Sequence, residues 1–193
     1  MERRPDRFVA ILDANVLVGA LTRNLLLHLA EAGFYRPRWS VWILDEMRRA
    51  LERQNKPVEY LDRLFLSLNA AFPEACVEDW EVYEATIVDL PDKDDKHVLA
   101  AAVKCDASVI ITENLKDFPA VALDPVGVEP VNTDSFIADL IDLNQSAAIN
   151  AIERMREGFR RPEYTRSDLV NRMSEIGLVQ AAAILAGYAS SDE

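Results

Sequence analysis

The chain has 193 residues, half of them apolar and only nine of them proline, with a formal net charge of −12. That length buries one good core with a small appendage, and that composition excludes a disordered protein. The acidic balance excludes a protein that coats nucleic acid with a uniformly basic surface, but not a nuclease whose bound cation cancels local carboxylate charge.

Phe8 to Leu12 is a continuous apolar run, as expected of a parallel strand covered on both faces. A helical pattern through Leu25, Leu26, Leu29 and Ala30 follows and ends at Gly33. Ser40 is placed to cap a helix running to about Arg53, and another helix is predicted over Val58 to Ala71. Residues 75–90 are ambiguous, with short β-like pieces at Cys76-Val77 and Thr86-Ile87-Val88. Pro91-Asp92 is predicted to open a helix through Lys104, with Asp92 capping its free amides. Ser108 to Thr112 is a second buried-strand pattern and Val126 to Val131 a weaker third. Strands alternating with helices imply an α/β fold with a mainly parallel sheet.

From about Thr133 the pattern is helical only. One helix starts at Thr133-Asp134 and a second covers Ser146 to Glu157, before Gly158 and Pro162 break the chain. Thr165 or Ser167 caps a third to Ile176, and Gly177 separates it from a fourth ending near Ala189. No stretch approaches the roughly 20 apolar residues of a membrane span. The opening MERRPDRF lacks the apolar core of a secretory signal. Cys76 and Cys105 are too few for a disulfide framework, so reduced, mostly buried thiols in a cytoplasmic protein are expected.

Chemistry is carried by scattered carboxylates. Asp13 follows the first strand, and Glu113 and Asn114 follow the second, which ends at Thr112. Ligands in open parallel sheets bind at that carboxyl edge, so if the strands are neighbours Asp13 and Asn114 share a cleft; Asp13 can also serve simply as a helix cap. Glu46 lies at i+3 from Ile43 and i−4 from Ala50, beside the apolar stripe of its helix. A buried glutamate needs a cation or an arginine as partner, unless its head reaches water. Asp45 points elsewhere. Asp95 stands on the inward side of its own helix, three and four residues before Val98 and Leu99, while Asp92 and Asp94 read mainly as caps. Hard oxygen donors with little histidine or cysteine suit Mg²⁺ or Mn²⁺ rather than zinc.

His97 can orient a carboxylate or contact phosphate, although an ordinary surface or half-buried helix residue is the expectation, and His28 is expected to be structural. Trp39 and Trp42 are expected in the core, the alternative being an exposed protein-contact edge. Basic residues concentrate at Arg3, Arg4 and Arg7, at Arg36 and Arg38, at Arg48, Arg49 and Arg53, and in the run Arg154, Arg156, Arg160, Arg161 and Arg166. Each set is expected to be a solvated face before it is a nucleic-acid contact.

The segments ILDANVLVGAL, YRPRWSVWILDEMRRAL and LPDKDDKHVLAAAVKCDASVIITENLKDFP resemble a PIN domain, closest in style to the VapC-type toxins of bacterial toxin–antitoxin pairs, over roughly residues 6–140. The resemblance implies a PIN-like three-layer α/β/α sandwich with a short parallel sheet. It implies a Mg²⁺- or Mn²⁺-dependent endoribonuclease acting on RNA, a homodimer, and a cognate antitoxin whose tail covers the active site. The helical extension, residues 141–193, goes beyond the minimal domain, and no role is assigned to it.

By position, the family's acids fall on Asp13, Glu46 and Asp95, which would form the catalytic and metal-binding set, with Asn15 as the polar neighbour of the first. The fourth falls on Asn114, two residues after the strand-end Thr112. That is a departure, because an amide carries no charge; Glu113 or Asp117 can compensate, and Asn114 and Asp117 are kept in the candidate catalytic set. Two rivals stand beside this reading. A haloacid-dehalogenase-type phosphatase would want a second acid where the chain has Asn15. A non-catalytic protein binding a basic peptide in an acidic cleft is left possible by Asn114.

Overall fold

The structure, a computed structural model, describes residues 8–87, 90–160 and 163–189. Arg3, Arg4, Arg7, Val88, Arg161 and Pro162, singled out above, lie outside the described residues. In chain order the elements are β1 (Val9–Leu12), α1 (Ala14–Val18), α2 (Ala20–Glu31), β2 (Arg36–Ser40), α3 (Val41–Arg53), α4 (Val58–Ala71), β3 (Cys76–Val77), α5 (Glu81–Glu84) and α6 (Lys96–Lys104). After these come β4 (Val109–Ile111), α7 (Ala120–Leu123) and β5 (Glu129–Val131), then α8 (Thr133–Leu143), α9 (Gln145–Gly158), α10 (Arg166–Glu175) and α11 (Val179–Ala189). The expected α/β class, with a short parallel sheet and helices to follow, is what forms. No described helix is long and apolar enough to cross a membrane.

The described residues pack as two units: 8–19 with 35–131, and 20–34 with 132–189. The division expected at 140/141 falls inside α8, and α2 groups with the C-terminal helices.

The first unit is built on a five-stranded sheet of order β3-β2-β1-β4-β5, with every neighbouring pair parallel. All four residues of β1 are buried, which is why the run reads as unbroken apolar sequence. Pro37 stands in β2 and cannot donate; β3 pairs with β2 only beyond it, at Trp39 and Ser40. Pro130 sits in β5, an edge strand, where a missing donor is tolerated. Helix α6 presses a run of buried residues, Val98 to Ala102, against β1, β2 and β4. Ser40 caps α3 as predicted, its Oγ accepting from Ile43 N at 3.2 Å.

Three local expectations are corrected. Helix α6 starts at Lys96, four residues later than predicted, and Asp92 does not cap it: its Oδ1 accepts from Asp94 N at 2.9 Å, closing a local turn. Thr86 lies in a turn and Ile87 outside any strand, because the chain there has just left α5. Trp39 is fully buried and packs edge-on to Phe72, whereas Trp42, on the first turn of α3, is 55% exposed.

In the second unit the helices are set by their caps. Asn132 caps α8 by accepting from Ser135 N at 2.9 Å, and Asn144 caps α9. Thr165 and Asp168 form a capping box on α10. Gly177 takes φ +93°, a left-handed turn open to glycine, between α10 and α11. His28 is structural as expected, with Nδ1 2.9 Å from Asn24 O. Two arginines of the second basic run are engaged internally: Arg156 and Arg166 both pair with Glu153, at 2.7 and 2.6 Å.

Candidate active site

Strand β1 is flanked by β2 on one side and β4 on the other, so the order in which strands are added reverses between β1 and β4. The crevice at their carboxyl ends is where such sheets bind ligands. Asp13 leaves β1 at that point, its backbone N–H donating to Ile111 O at 3.1 Å and so tying the two strand ends together.

The Asp13 side chain is 5% exposed and is held by three donors. Ala14 N reaches Oδ1 at 2.6 Å, and Asn15 Nδ2 and Thr112 Oγ1 reach Oδ2 at 2.5 and 2.7 Å. The first bond makes Asp13 the cap of α1, so the capping role is real. The other two go beyond it, because they join it to the end of β4. Burial raises the Asp13 carboxyl above its ordinary range, partly countered by the Thr112 and Ala14 bonds.

Thr112 is the hub of this network. Besides donating to Asp13, its hydroxyl accepts from Asn15 Nδ2 at 3.0 Å and from Asn114 N at 3.1 Å. Asn15 completes the link by accepting from Glu113 N at 3.1 Å. The loop after β4 is therefore stitched to the start of α1 by side chains rather than by strand pairing.

Glu46 projects from the second turn of α3, half-buried, and its partner is His97 of α6: Nε2 lies 3.3 Å from Oε1. Within the protein the partner of Glu46 is thus a histidine and not an arginine. His97 is 3% exposed, not a surface or half-buried residue, because Trp42 and Trp80 cover it with ring centroids 6.0 and 5.9 Å away. A carboxylate partner assigns a proton to Nε2. The His97 Nδ1 is buried without a hydrogen-bond partner among the described residues.

Asp95 occupies the position just before α6 but makes no side-chain cap bond. Its carboxyl is pushed up to about 6, first by burial and then by the charges of Asp13, Asp92, Asp117 and Glu46. Asp13, Asn15, Glu46, Asp95 and Asn114 line one cavity of about 320 Å³. Asp117 does not line it and reaches Asp95 only through its charge. Glu113 is exposed and contributes its backbone N–H to the network. Asp92 and Asp94 are exposed and outside the cavity.

No three His, Cys, Asp or Glu side chains among the described residues are drawn together into a ready ion cage. The donor set nevertheless fits a hard divalent cation: three carboxylates line one cavity, and Asp13 and Asp95 are held above their ordinary range first by burial and then by neighbouring carboxylate charge, Glu46 acting on both. A cation relieves that repulsion.

Two contributions escaped the sequence reading. One is the cover of His97 by Trp42 and Trp80, though the spacing of Trp42 four residues before Glu46 placed it on the right face. The other is that Arg49 and Arg53 line the same cavity.

Comparison with known proteins agrees with this layout. A family model described as the PIN domain matches residues 9–116. A second, described as the VapC50 C-terminal domain, matches residues 133–187, beginning at the first residue of α8. The chain is 40% identical over 81 residues to the protein named "Putative ribonuclease VapC50" of Mycobacterium tuberculosis. That match covers 42% of this chain and 48% of the other, so the chain spans about half the length of this curated relative. No solved structure matches.

Proposed function

The chain belongs to the PIN-domain family, and from that premise we propose that it is a metal-dependent endoribonuclease, hydrolysing RNA phosphodiester bonds at the cavity lined by α1, α3 and the segments that carry Asp13, Asp95 and Asn114. The observation that carries this reading is the convergence of Asp13, Glu46 and Asp95 on one cavity at the switch point of the sheet. The three positions of the family's acids, far apart in sequence, thereby face one space.

Asp13 and Asp95 would hold the ion, Mg²⁺ or Mn²⁺, with Glu46 completing its shell directly or through water. Such an ion supplies Lewis acidity, activating a water and neutralising charge on the phosphoryl oxygens. The chain's own part is to fix the donors and move one proton. Thr112 and Asn15 lock the Asp13 carboxylate in one orientation. Glu46, steadied by His97, is placed to take the proton of the attacking water. Asn114 lines the cavity without adding charge, with Asp117 supplying a negative field from outside it.

In-line attack by water leaves a 5′-phosphate and a 3′-hydroxyl and does not need the 2′-hydroxyl. Accessible bases favour single-stranded loops as substrate. The same reading makes the protein the toxin of a toxin–antitoxin pair, with a cognate antitoxin and a homodimeric state. Its support is the resemblance of the three motifs to VapC-type toxins and the relative's name. The test is end-mapping of RNA fragments made by the purified protein in Mn²⁺. Fragments with 5′-phosphates support the reading; fragments with 2′,3′-cyclic phosphates overturn it.

A further inference from the structure

Helix α3 carries three arginines whose surroundings differ. Arg48 is engaged: it pairs with Asp62 at 3.2 Å and its guanidinium lies 4.6 Å from the centre of the Phe65 ring. Arg49 and Arg53 are exposed and line the cavity that holds Asp13, Glu46 and Asp95. Neither forms a salt bridge among the described residues. Arg49 gives only its Nε to the backbone oxygen of Asp45, at 3.3 Å.

They stand three and seven residues after Glu46, so one face of α3 presents a carboxylate followed by two guanidiniums one turn apart. Two of the three acids are already served by other groups. Glu46 already has His97, and Asp13 already has Ala14, Asn15 and Thr112 as donors. In a chain of net charge −12, RNA approaching the carboxylates meets repulsion unless cations stand at the entrance. A guanidinium, with donors in a planar fork, suits a phosphate better than a point charge does.

We propose that Arg49 and Arg53 form a cationic subsite for the RNA backbone phosphate adjacent to the one being cleaved. This rests on the ribonuclease reading, and it adds a binding role distinct from the acids.

The experiment uses a fluorescein-labelled single-stranded RNA oligonucleotide. Its binding is followed by anisotropy over a salt series in chelator, where it is not turned over, and its cleavage kinetics are measured in Mn²⁺. Both residues are exposed, so Arg49→Gln with Arg53→Gln is expected to fold. Losing the contact to that one phosphate is expected to lower the slope of log affinity against log salt by about 0.7 for single strands. KM is expected to rise at least about tenfold with kcat little changed. Arg49→Lys with Arg53→Lys keeps the charges and is expected to keep the slope. A wild type that cleaves RNA, beside a glutamine variant with unchanged slope and KM, overturns the subsite alone. A slope that falls as far in the lysine variant as in the glutamine variant overturns it too. A wild type that neither binds nor cleaves the oligonucleotide overturns the ribonuclease reading and this inference with it.

Discussion

His97 Nε2 lies 3.3 Å from Glu46 Oε1, joining α6 to α3 at the wall of the cavity. The contact is held from behind by Trp42 and Trp80, themselves edge-on at 5.9 Å, so the imidazole has little room to turn. Partners that orient a ligand or base in this way are often as necessary as the group they orient.

His97→Ala is therefore expected to lower cleavage about 10- to 100-fold, the usual cost of losing an orienting partner. His97→Gln, which keeps a donor, is expected to recover part of the loss. Rates at saturating Mn²⁺ and Mn²⁺ affinity by calorimetry, run beside melting curves, separate this from simple destabilisation. An unchanged rate in a folded His97→Ala protein refutes the orienting role.

Thr112→Val keeps the shape of a fully buried side chain but removes its hydroxyl. Asp13 loses a donor, and Asn15 Nδ2 and Asn114 N lose an acceptor. The cost is expected to be about 1–3 kcal/mol in denaturant unfolding. Because the Thr112 bond lowers the Asp13 pKa, its loss raises it further, and the acid limb of the pH–rate profile is expected to move to higher pH. A limb that stays in place, or moves down, contradicts this.

Asp95 gives a pH dependence with a definite sign. Its carboxyl is lifted from 3.8 to about 6 in the fold, so folding favours its protonated form. That contribution is fully present below the ordinary value of 3.8 and is lost as pH rises through about 6. In chelator the group thus makes the protein less stable at pH 7 than at pH 5. A cation competes with that proton, so the rise in Tm on adding Mn²⁺ is expected to be larger at pH 7 than at pH 5. Asp95→Asn is expected to weaken both trends. Equal shifts at the two pH values count against Asp95 as a ligand.

Much of the frame was legible because it rests on short-range signals. The unbroken run of β1, the Ser40 cap, the stripe of α3 that carries Glu46 and the second run ending at Thr112 each declare themselves within a few residues. What was not legible depends on distant neighbours. His97 looks like any helix histidine until Trp42 and Trp80 arrive from other elements to bury it. Asp92 has the spacing of a cap, but its turn with Asp94 delays α6 to Lys96. Arg48, Arg49 and Arg53 are alike in sequence and differ only in what stands opposite them. The grouping of α2 with the C-terminal helices likewise depends on long-range packing.

The most direct measurement incubates purified wild type, Asp13→Ala and Asp95→Ala with single-stranded RNA, in Mn²⁺ and in excess chelator, and follows the fragments on a gel. Cleavage by the wild type in Mn²⁺, absent in chelator and absent in both folded variants, is the expected result. Cleavage that persists in chelator, or in both variants, contradicts a metal-dependent site built on these two carboxylates.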